Sequence, residues 1–561
     1  MKKATDPLSF LPMTQSFTPI FRKLLTKRGF LDDAAIETFL SSDLSQLHDP
    51  FLMKNMREVK ERIELAVKEK QKILLHGDYD ADGITGVAVM AKTLTKFTAD
   101  FDTFLPERER HGYGVSEEAI RKAHQTNAKL IITIDCGITA KEEIRLAREL
   151  GMDVIVIDHH RLPADGLPET HLILNPLQKD CLYPFKELSA AGLVFKLAQA
   201  MIGKEAFQFL DLVALSTVCD VAPLVFENRI LVRHGFEELS KRTNLGLKCL
   251  GEVAKLKSQK VDTGHVGFIL GPRINAAGRM SSPDTALQLL LTGSQREAVS
   301  LANILNAENK ARQQSERAIT KEVIGKVERT VNFNKERVIV VGGQDWHQGV
   351  IGIVASRLVE KYYRPAIVIS IEEGTGKGSG RSIKGFHLFH AIEDSAALLE
   401  EFGGHEQAAG LSIKEGNIAA FKEKINEYAR VHLNPEIMIR KIPVDLEISL
   451  GELTSAFIRE LELLEPFGVG NPRPVFRTKG LRAKTKARLV YGETYELVLT
   501  DGASNFTALI TEKHLYPFTT ARAEAKFDVA FTIKTKFWNG METLTLDVKD
   551  VRLLEDLSSV A

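Results

Sequence analysis

Four short segments of this 561-residue sequence put aspartate or histidine where an apolar stretch ends. The first is His76-Gly77-Asp78-Tyr79-Asp80-Ala81-Asp82-Gly83, directly after Ile73-Leu74-Leu75. The second is Asp135-Cys136-Gly137, ending IITID, and the third is Asp158-His159-His160, ending VIVID. The fourth is Asp220, which closes the apolar run DLVALSTVCD. Carboxylates gathered in one place repel one another and raise each other's pKa. Divalent cations relieve that repulsion, and imidazole with carboxylate oxygen suits Mn²⁺, with Mg²⁺ second. The donors exceed what one ion needs. Two ions about 3.5–4 Å apart are therefore expected, a pairing that serves phosphodiester hydrolysis.

Each segment also has a plainer explanation. A single aspartate after a strand is ordinarily a helix N-cap, and Asp-His-His alone is a weak signal. Gly-Asp-x-Asp-x-Asp-Gly could pass for a calcium loop, but the glutamate such a loop needs is missing, since position 89 is Val. Four such segments in one chain argue for a common site.

The elements that must position them are legible. Ile73–Leu75, Leu130–Ile134, Asp153–Ile157 and, more weakly, Leu172–Leu174 read as strands. Ile84–Leu94 and Ala140–Leu150 read as helices between them, with further helices at about 189–200 and 205–218. Buried strands separated by amphipathic helices predict a parallel sheet covered on both faces. In such sheets the ligand crevice lies beyond the carboxyl ends of the strands, where three of the four segments fall.

The rest of the chain divides by composition. Residues 1–55 read as a helical and irregular preamble, 56–283 as the first α/β domain and 284–330 as a connecting helix with solvated, charged and glutamine-rich faces. A second α/β domain covers 331–435, where Gly342-Gly343-Gln344 is read as a glycine-rich entry to a helix. From 436 to 561 alternating segments such as YELVLTDG, with turn signals at Asp501-Gly502 and Asn539-Gly540, predict a small antiparallel barrel. Lys plus Arg and Asp plus Glu each total 74, so net charge neither points to nucleic acid nor excludes it. Apolar runs are strand-length, the opening MKKATDPLSFLPM does not read as a secretory signal, and the four cysteines form no CxxC pair. No membrane span and a cytoplasmic location are expected.

The motifs HGDYDADG, TIDCG, DHH and STVCDVAPL, in that order, resemble those of the DHH phosphoesterase family. FILGPRINAAGRM (Phe268–Met280), GKGSGRS (Gly376–Ser382), FGGHEQAAG (Phe402–Gly410) and LEPFGVGNPRPVF (Leu464–Phe476) resemble the bacterial RecJ exonucleases within it. The resemblance runs from about residue 45 to about 550. It implies a multidomain α/β protein with a parallel-sheet DHH domain, a DHH-associated domain and a C-terminal OB-type barrel. It implies 5′→3′ hydrolysis of single-stranded DNA to 5′-mononucleotides with two Mn²⁺ or Mg²⁺ ions, and a role in DNA repair and recombination. Expected partners are single-stranded DNA and, beside it, a single-strand-binding protein and a helicase.

By the same resemblance, His76 and Asp80 hold one metal, and Asp82, His159 and Asp220 the other. Asp135 bridges both ions, Asp78 and His160 are needed for activity, and Asp158 orients a ligand histidine. Ser216 and Cys219 stand where many relatives have Gly and Ala, and neither is expected to touch a ligand.

On the substrate side, Arg273, Asn275 and Arg279 lie in a run read as a loop. Locally they are a packed turn with solvated arginines, but the resemblance makes them readers of the terminal 5′ phosphate, joined by Arg108 and Arg110. It also places Arg381, Ser382, Gly404 and His405 on nucleotides near the scissile bond. Arg482, Lys484, Lys486 and Arg488 alternate, so on one strand they would share a face. That face is either solvated or a strip tracking the DNA backbone, with Tyr491, Phe506 or Trp538 for base stacking. Two rivals follow from the same motifs. A small-substrate phosphodiesterase or pyrophosphatase usually lacks GPRINAAGR and the last domain, and an inactive DNA-binding relative should have lost ligands that this chain retains.

Overall fold

The computed structural model describes residues 17–554 apart from 113, 259, 523, 539 and 540, so the first 16 residues and the Asn539-Gly540 turn lie outside the described residues. The chain forms two compact units. One comprises residues 48–222 and 234–440, the other residues up to 47, 223–233 and from 441 onward.

The first unit carries two sheets. Its first five strands are β1 (Lys72–Gly77), β2 (Phe101–Phe104), β3 (Ala128–Ile134), β4 (Asp153–Ile157) and β5 (Ile173–Leu174). They pair in parallel in the order β2-β1-β3-β4-β5. Sequence reading missed β2, whose FDTF is short and only partly buried. Register matters most for function. Gly77 lies opposite Ile134, and Ile134 opposite Ile157, so the three strands end side by side. The residues that follow, led by Asp78, Asp135 and Asp158, emerge along one edge. This strand order has its switch point between β1 and β3, where doubly wound sheets bind ligands.

The helices Ala81–Thr95, Ala190–Ile202 and Leu210–Cys219 are largely buried. GPRINAAGR is a helix rather than a loop, spanning Gly271–Met280. Its glycine serves close packing: a Cβ on Gly278 would stand 2.2 Å from the Tyr79 carbonyl oxygen. The long helix Gln295–Thr330 is not simply solvated, because Asn309, Arg312 and Glu316 are buried on it.

The second sheet contains β6 (Ile339–Gln344), β7 (Ala366–Glu372), β8 (Thr375–Arg381), β9 (Leu399–Gly404) and β10 (Ala408–Lys414), in the order β6-β7-β8-β10-β9. Only β6 and β7 run parallel. Gly342-Gly343-Gln344 belongs to β6, not to a helix entry; the next helix starts at Gln348 and is capped by His347.

The second unit holds β11 (Leu446–Glu447), β12 (Phe476–Ala483), β13 (Arg488–Tyr491), β14 (Thr494–Thr500), β15 (Asn505–Thr511), β16 (Lys526–Trp538) and β17 (Met541–Leu554). Their order is β11-β12-β16-β17-β15-β14-β13, with a further pairing of β12 to β14. The sheet is not wholly antiparallel: β11 pairs parallel with β12, and β15 with β17. Phe21, Leu24 and Leu25 from the preamble enter its core beside Phe457, Phe476 and Phe531. Arg229 is buried here and donates to the carbonyls of Phe39, Leu463 and Leu464. Asn471, from LEPFGVGNPRPVF, donates to the Leu464 and Pro466 carbonyls. That motif serves packing.

The basic strip is broken. Arg482 belongs to β12 and Arg488 to β13, and Lys484 and Lys486 lie in the connection between them. Arg482 pairs with Glu524 at 3.6 Å and Arg488 with Glu496 at 3.2 Å. Lys484 donates to Asn505. Tyr491 is exposed, whereas Phe506 packs against the core and the Trp538 side chain lies outside the described residues.

Candidate metal centre and phosphate site

The loop after β1 is shaped by its own carboxylates. Asp80 caps the Ala81–Thr95 helix, its Oδ1 accepting from the Asp82 and Gly83 amides. The N-cap explanation therefore holds for this residue. Asn275 Oδ1 accepts from the Ala81 amide at 2.8 Å, so the Gly271–Met280 helix braces this loop. Gly83 is needed for fit, because a Cβ there would stand 2.5 Å from the Asp78 carbonyl oxygen. After β3 the chain turns sharply. Asp135 adopts φ +65°, a left-handed conformation that non-glycine residues adopt at a cost and that concentrates at functional sites.

Three hydrogen bonds hold the Asp82 carboxylate. It accepts from the Ala190 amide at 2.8 Å and the Ala191 amide at 2.9 Å, at the N-terminus of the Ala190–Ile202 helix. It also accepts the Ser216 hydroxyl at 2.6 Å. The expectation that Ser216 touches no ligand is thus wrong: a hydroxyl one helical turn before Asp220 reaches across to Asp82. Asp158 accepts from the Ile138 amide and holds His160 Nδ1 at 2.7 Å.

Donor atoms of Asp78, Asp80 and Asp135 lie within 4.8 Å of one another. So do those of Asp82, His159 and Asp220, and those of Asp135, His159 and His160. His159 Nε2 is 3.2 Å from Asp135 and 3.7 Å from Asp82. Asp135 belongs to two of these sets, and seven of the eight proposed metal and catalytic side chains enter at least one. His76 enters none of them. It is buried, stacked on Phe104, and its Nδ1 lies 3.7 Å from Cys136 Sγ. The Cys136 thiol also lies 3.5 Å from the Ile134 carbonyl, and His76 Nε2 has no hydrogen-bond partner.

Without a counter-charge this arrangement resists ionisation. Burial, then the charge of Asp80, pushes Asp78 up to about 8. Burial, then Asp82, does the same for Asp220. Asp135 is raised well above the carboxylate range by burial and by Asp82, Asp80 and Asp78. Burial works to lower His160, but Asp158 prevails and raises it to about 9. Asp135 Oδ1 and His76 Nε2 are buried without a hydrogen-bond partner. Orphaned carboxylate oxygen and imidazole nitrogen among repelling carboxylates fit divalent ions of the Mn²⁺ and Mg²⁺ class.

Three guanidiniums gather beside this cluster. Arg279 is pushed down to about 10 by burial and then by Arg108, and it also feels Asp80. Arg381 is lowered by burial and Arg108. Arg108 lies over the Tyr79 ring at 5.9 Å. His405 is lowered by burial, Arg161, Arg381 and His160, so the turn after β9 faces the same region. Gly404 has φ +138°, and a Cβ there would stand 2.5 Å from the Ala408 carbonyl oxygen. Arg279 donates to the Gly349 carbonyl and Arg381 to the Gly380 carbonyl, and the remaining expected contacts also have partners. Arg110 pairs with Glu118, Arg273 is held by Asn306 and the Ile269 carbonyl, and the Ser382 hydroxyl donates to the Phe386 carbonyl.

Three family models match in sequence: the DHH family N-terminal domain over residues 72–217, the DHHA1 domain over 335–431 and the RecJ OB domain over 444–550. The single-stranded-DNA-specific exonuclease RecJ of Escherichia coli (strain K12) is 34% identical over 505 residues, covering 85% of each chain. The chain belongs to the RecJ family. The RecJ of Bacillus subtilis (strain 168) is 41% identical over 84% of this chain, but the match spans only 60% of that relative's length. A crystal structure of RecJ with Mn²⁺ from Thermus thermophilus superposes with a TM-score of 0.81 at 30% identity, covering 97% of this chain and 79% of that one. A second RecJ structure from that organism, titled as a complex with Mg²⁺, gives 0.76 at 29% identity, covering 96% and 75%. RecJ membership makes the chain a metal-dependent hydrolase of the DHH phosphoesterase class. Among the described residues no helix is long and apolar enough to cross a membrane.

Proposed function

We propose that this RecJ-family chain hydrolyses single-stranded DNA from its 5′ end and releases 5′-mononucleotides. The observation that carries this is the gathering of Arg108, Arg279 and Arg381 beside the carboxylate cluster, with Arg279 feeling both Arg108 and Asp80. A phosphate recognised there is held close to where the next linkage is cut.

Asp78, Asp80 and Asp135, with His76, would hold one divalent ion, and Asp82, His159 and Asp220, again with Asp135, the other. When bound, Mn²⁺ or Mg²⁺ supplies the Lewis acidity that lowers the pKa of water and neutralises charge on the phosphodiester. Arg108, Arg279 and Arg381 grip the terminal 5′ phosphate through paired N–H donors. His160 carries its proton on Nδ1 towards Asp158 and offers a second donor near the oxygen that leaves. The water oxygen bonds to phosphorus as the bond to the terminal nucleotide's 3′ oxygen breaks, and that oxygen leaves as the 3′ hydroxyl with a proton taken up. The shortened strand then carries a new 5′ phosphate for the same guanidiniums. Gly404 and His405 border the strand near the cut. Single-strand-binding protein, a helicase and a cytoplasmic place in repair and recombination complete the reading.

The test is Asp135→Ala. Single-turnover cleavage with Mn²⁺ should be abolished while the melting temperature stays at or above that of wild type, because one of several repelling carboxylates is gone. Activity within about tenfold of wild type in a folded variant would sink the bridging role.

A further inference from the structure

The helix Gln295–Thr330 contributes a buried polar network whose purpose the metal centre does not explain. Arg312 donates to Glu316 at 2.9 Å and to Asn309 at 3.1 Å. Arg357 donates to the other oxygen of Glu316 at 3.1 Å. This network does not fill its surroundings. It borders an open cavity of about 330 Å³, also lined by Phe268, Asn275, Arg279 and Arg317. Glu316 is the one carboxylate in that wall among the described residues, and both its oxygens are taken. Arg317 therefore faces the cavity with no acid there to answer it, beside Arg279, which donates to the Gly349 carbonyl at 3.2 Å.

Phe268 supplies the second observation. It stands 82% exposed at the rim, in the π-helical turn Val266–Leu270. Such turns concentrate at functional sites. An exposed aromatic and arginines lining one cavity suit a base with the phosphodiester beside it. The volume is sufficient for a ligand of nucleotide size.

We infer that this cavity is a subsite for an internal nucleotide of the bound strand, its base on Phe268 and its phosphodiester on Arg317. The inference rests on the single-stranded-DNA reading and adds a second anchor to it. Arg279 is shared: it lines the cavity and feels the charge of Asp80. The subsite thus adjoins the terminal-phosphate site through Arg279, and Phe268 and Arg317 belong to the cavity alone. Strands long enough to occupy both gain affinity that the shortest ones cannot.

The experiment uses the full chain with Mn²⁺ and 5′-phosphorylated oligonucleotides in which one linkage at a time is a neutral methylphosphonate. Wild type should show raised KM at one internal linkage, with kcat unchanged. Arg317→Gln should raise KM for unmodified long strands by about tenfold and lose sensitivity at that same linkage. Phe268→Ala should lose sensitivity to an abasic nucleotide beside it. Both variants should cut the shortest substrates as wild type does and melt at its temperature. A wild type sensitive only at its terminal phosphate, or an Arg317→Gln enzyme with the wild-type linkage profile, overturns the subsite. A wild type that degrades no single strand at all would instead sink the functional reading itself.

Discussion

The Ser216 hydroxyl donates to the Asp82 carboxylate at 2.6 Å, joining a side chain near the end of one buried helix to a metal-ligand candidate at the start of another. Ser216 is fully buried and also meets the Ser189 hydroxyl at 2.7 Å. Asp82 thereby accepts three hydrogen bonds, two from backbone amides and one from a side chain that can be removed cleanly.

Ser216→Ala should therefore loosen Asp82 without unfolding the chain. Groups that orient metal ligands typically contribute 10–100-fold to affinity or activity. Expected is about a tenfold weaker Mn²⁺ affinity at one of two sites, read by titration calorimetry, with a stability cost of about 1 kcal/mol. Equal affinity at both sites would leave Ser216 a packing residue.

Away from the metal centre, one further carboxylate contributes to the pH dependence of stability. Asp211, buried at the start of the Leu210–Cys219 helix, is pushed up to about 6, chiefly by burial. Its folded pKa exceeds its unfolded value, so the stabilisation is complete below about pH 4 and is lost as pH rises through 6. The change amounts to at most about 3 kcal/mol. Asp211→Asn should remove this share of the pH dependence, leaving the variant as stable as wild type at pH 4 and more stable at pH 8. Chemical denaturation at the two pH values decides it, and a parallel offset at both would refute it.

The basic residues of the second unit make a weaker case than their spacing suggested. Replacing Arg482, Lys484, Lys486 and Arg488 together by Gln should weaken binding of long strands and spare the shortest. The salt dependence should flatten by roughly 0.7 in slope for each phosphate that is no longer neutralised. Affinity against salt concentration measures this, and an unchanged slope on long strands would return all four to an ordinary solvated face.

What was legible in the sequence follows from how each signal arises. The convergence of Asp78, Asp135 and Asp158 was readable because apolar strands announce themselves, and parallel strands ending in register must bring their following residues together. Ser216 was not readable, since the link to Asp82 spans 134 positions and depends on how two helices pack. Arg312 and Glu316 looked solvated because charge pattern reports composition, whereas burial comes from tertiary contact. GPRINAAGR looked like a loop because its glycines suggested turns, although Gly278 is there to let a helix approach Tyr79. Strict alternation from Arg482 to Arg488 imitated one strand where the chain breaks between two.

Polarity is the central claim, and end-labelled single strands test it most directly. With Mn²⁺, a 5′-labelled strand should release its label at once as a mononucleotide, while a 3′-labelled strand shortens progressively. Circular single strands and the Asp135→Ala variant should both give no product. Early loss of the 3′ label, or efficient cutting of circles, would contradict a 5′-end exonuclease.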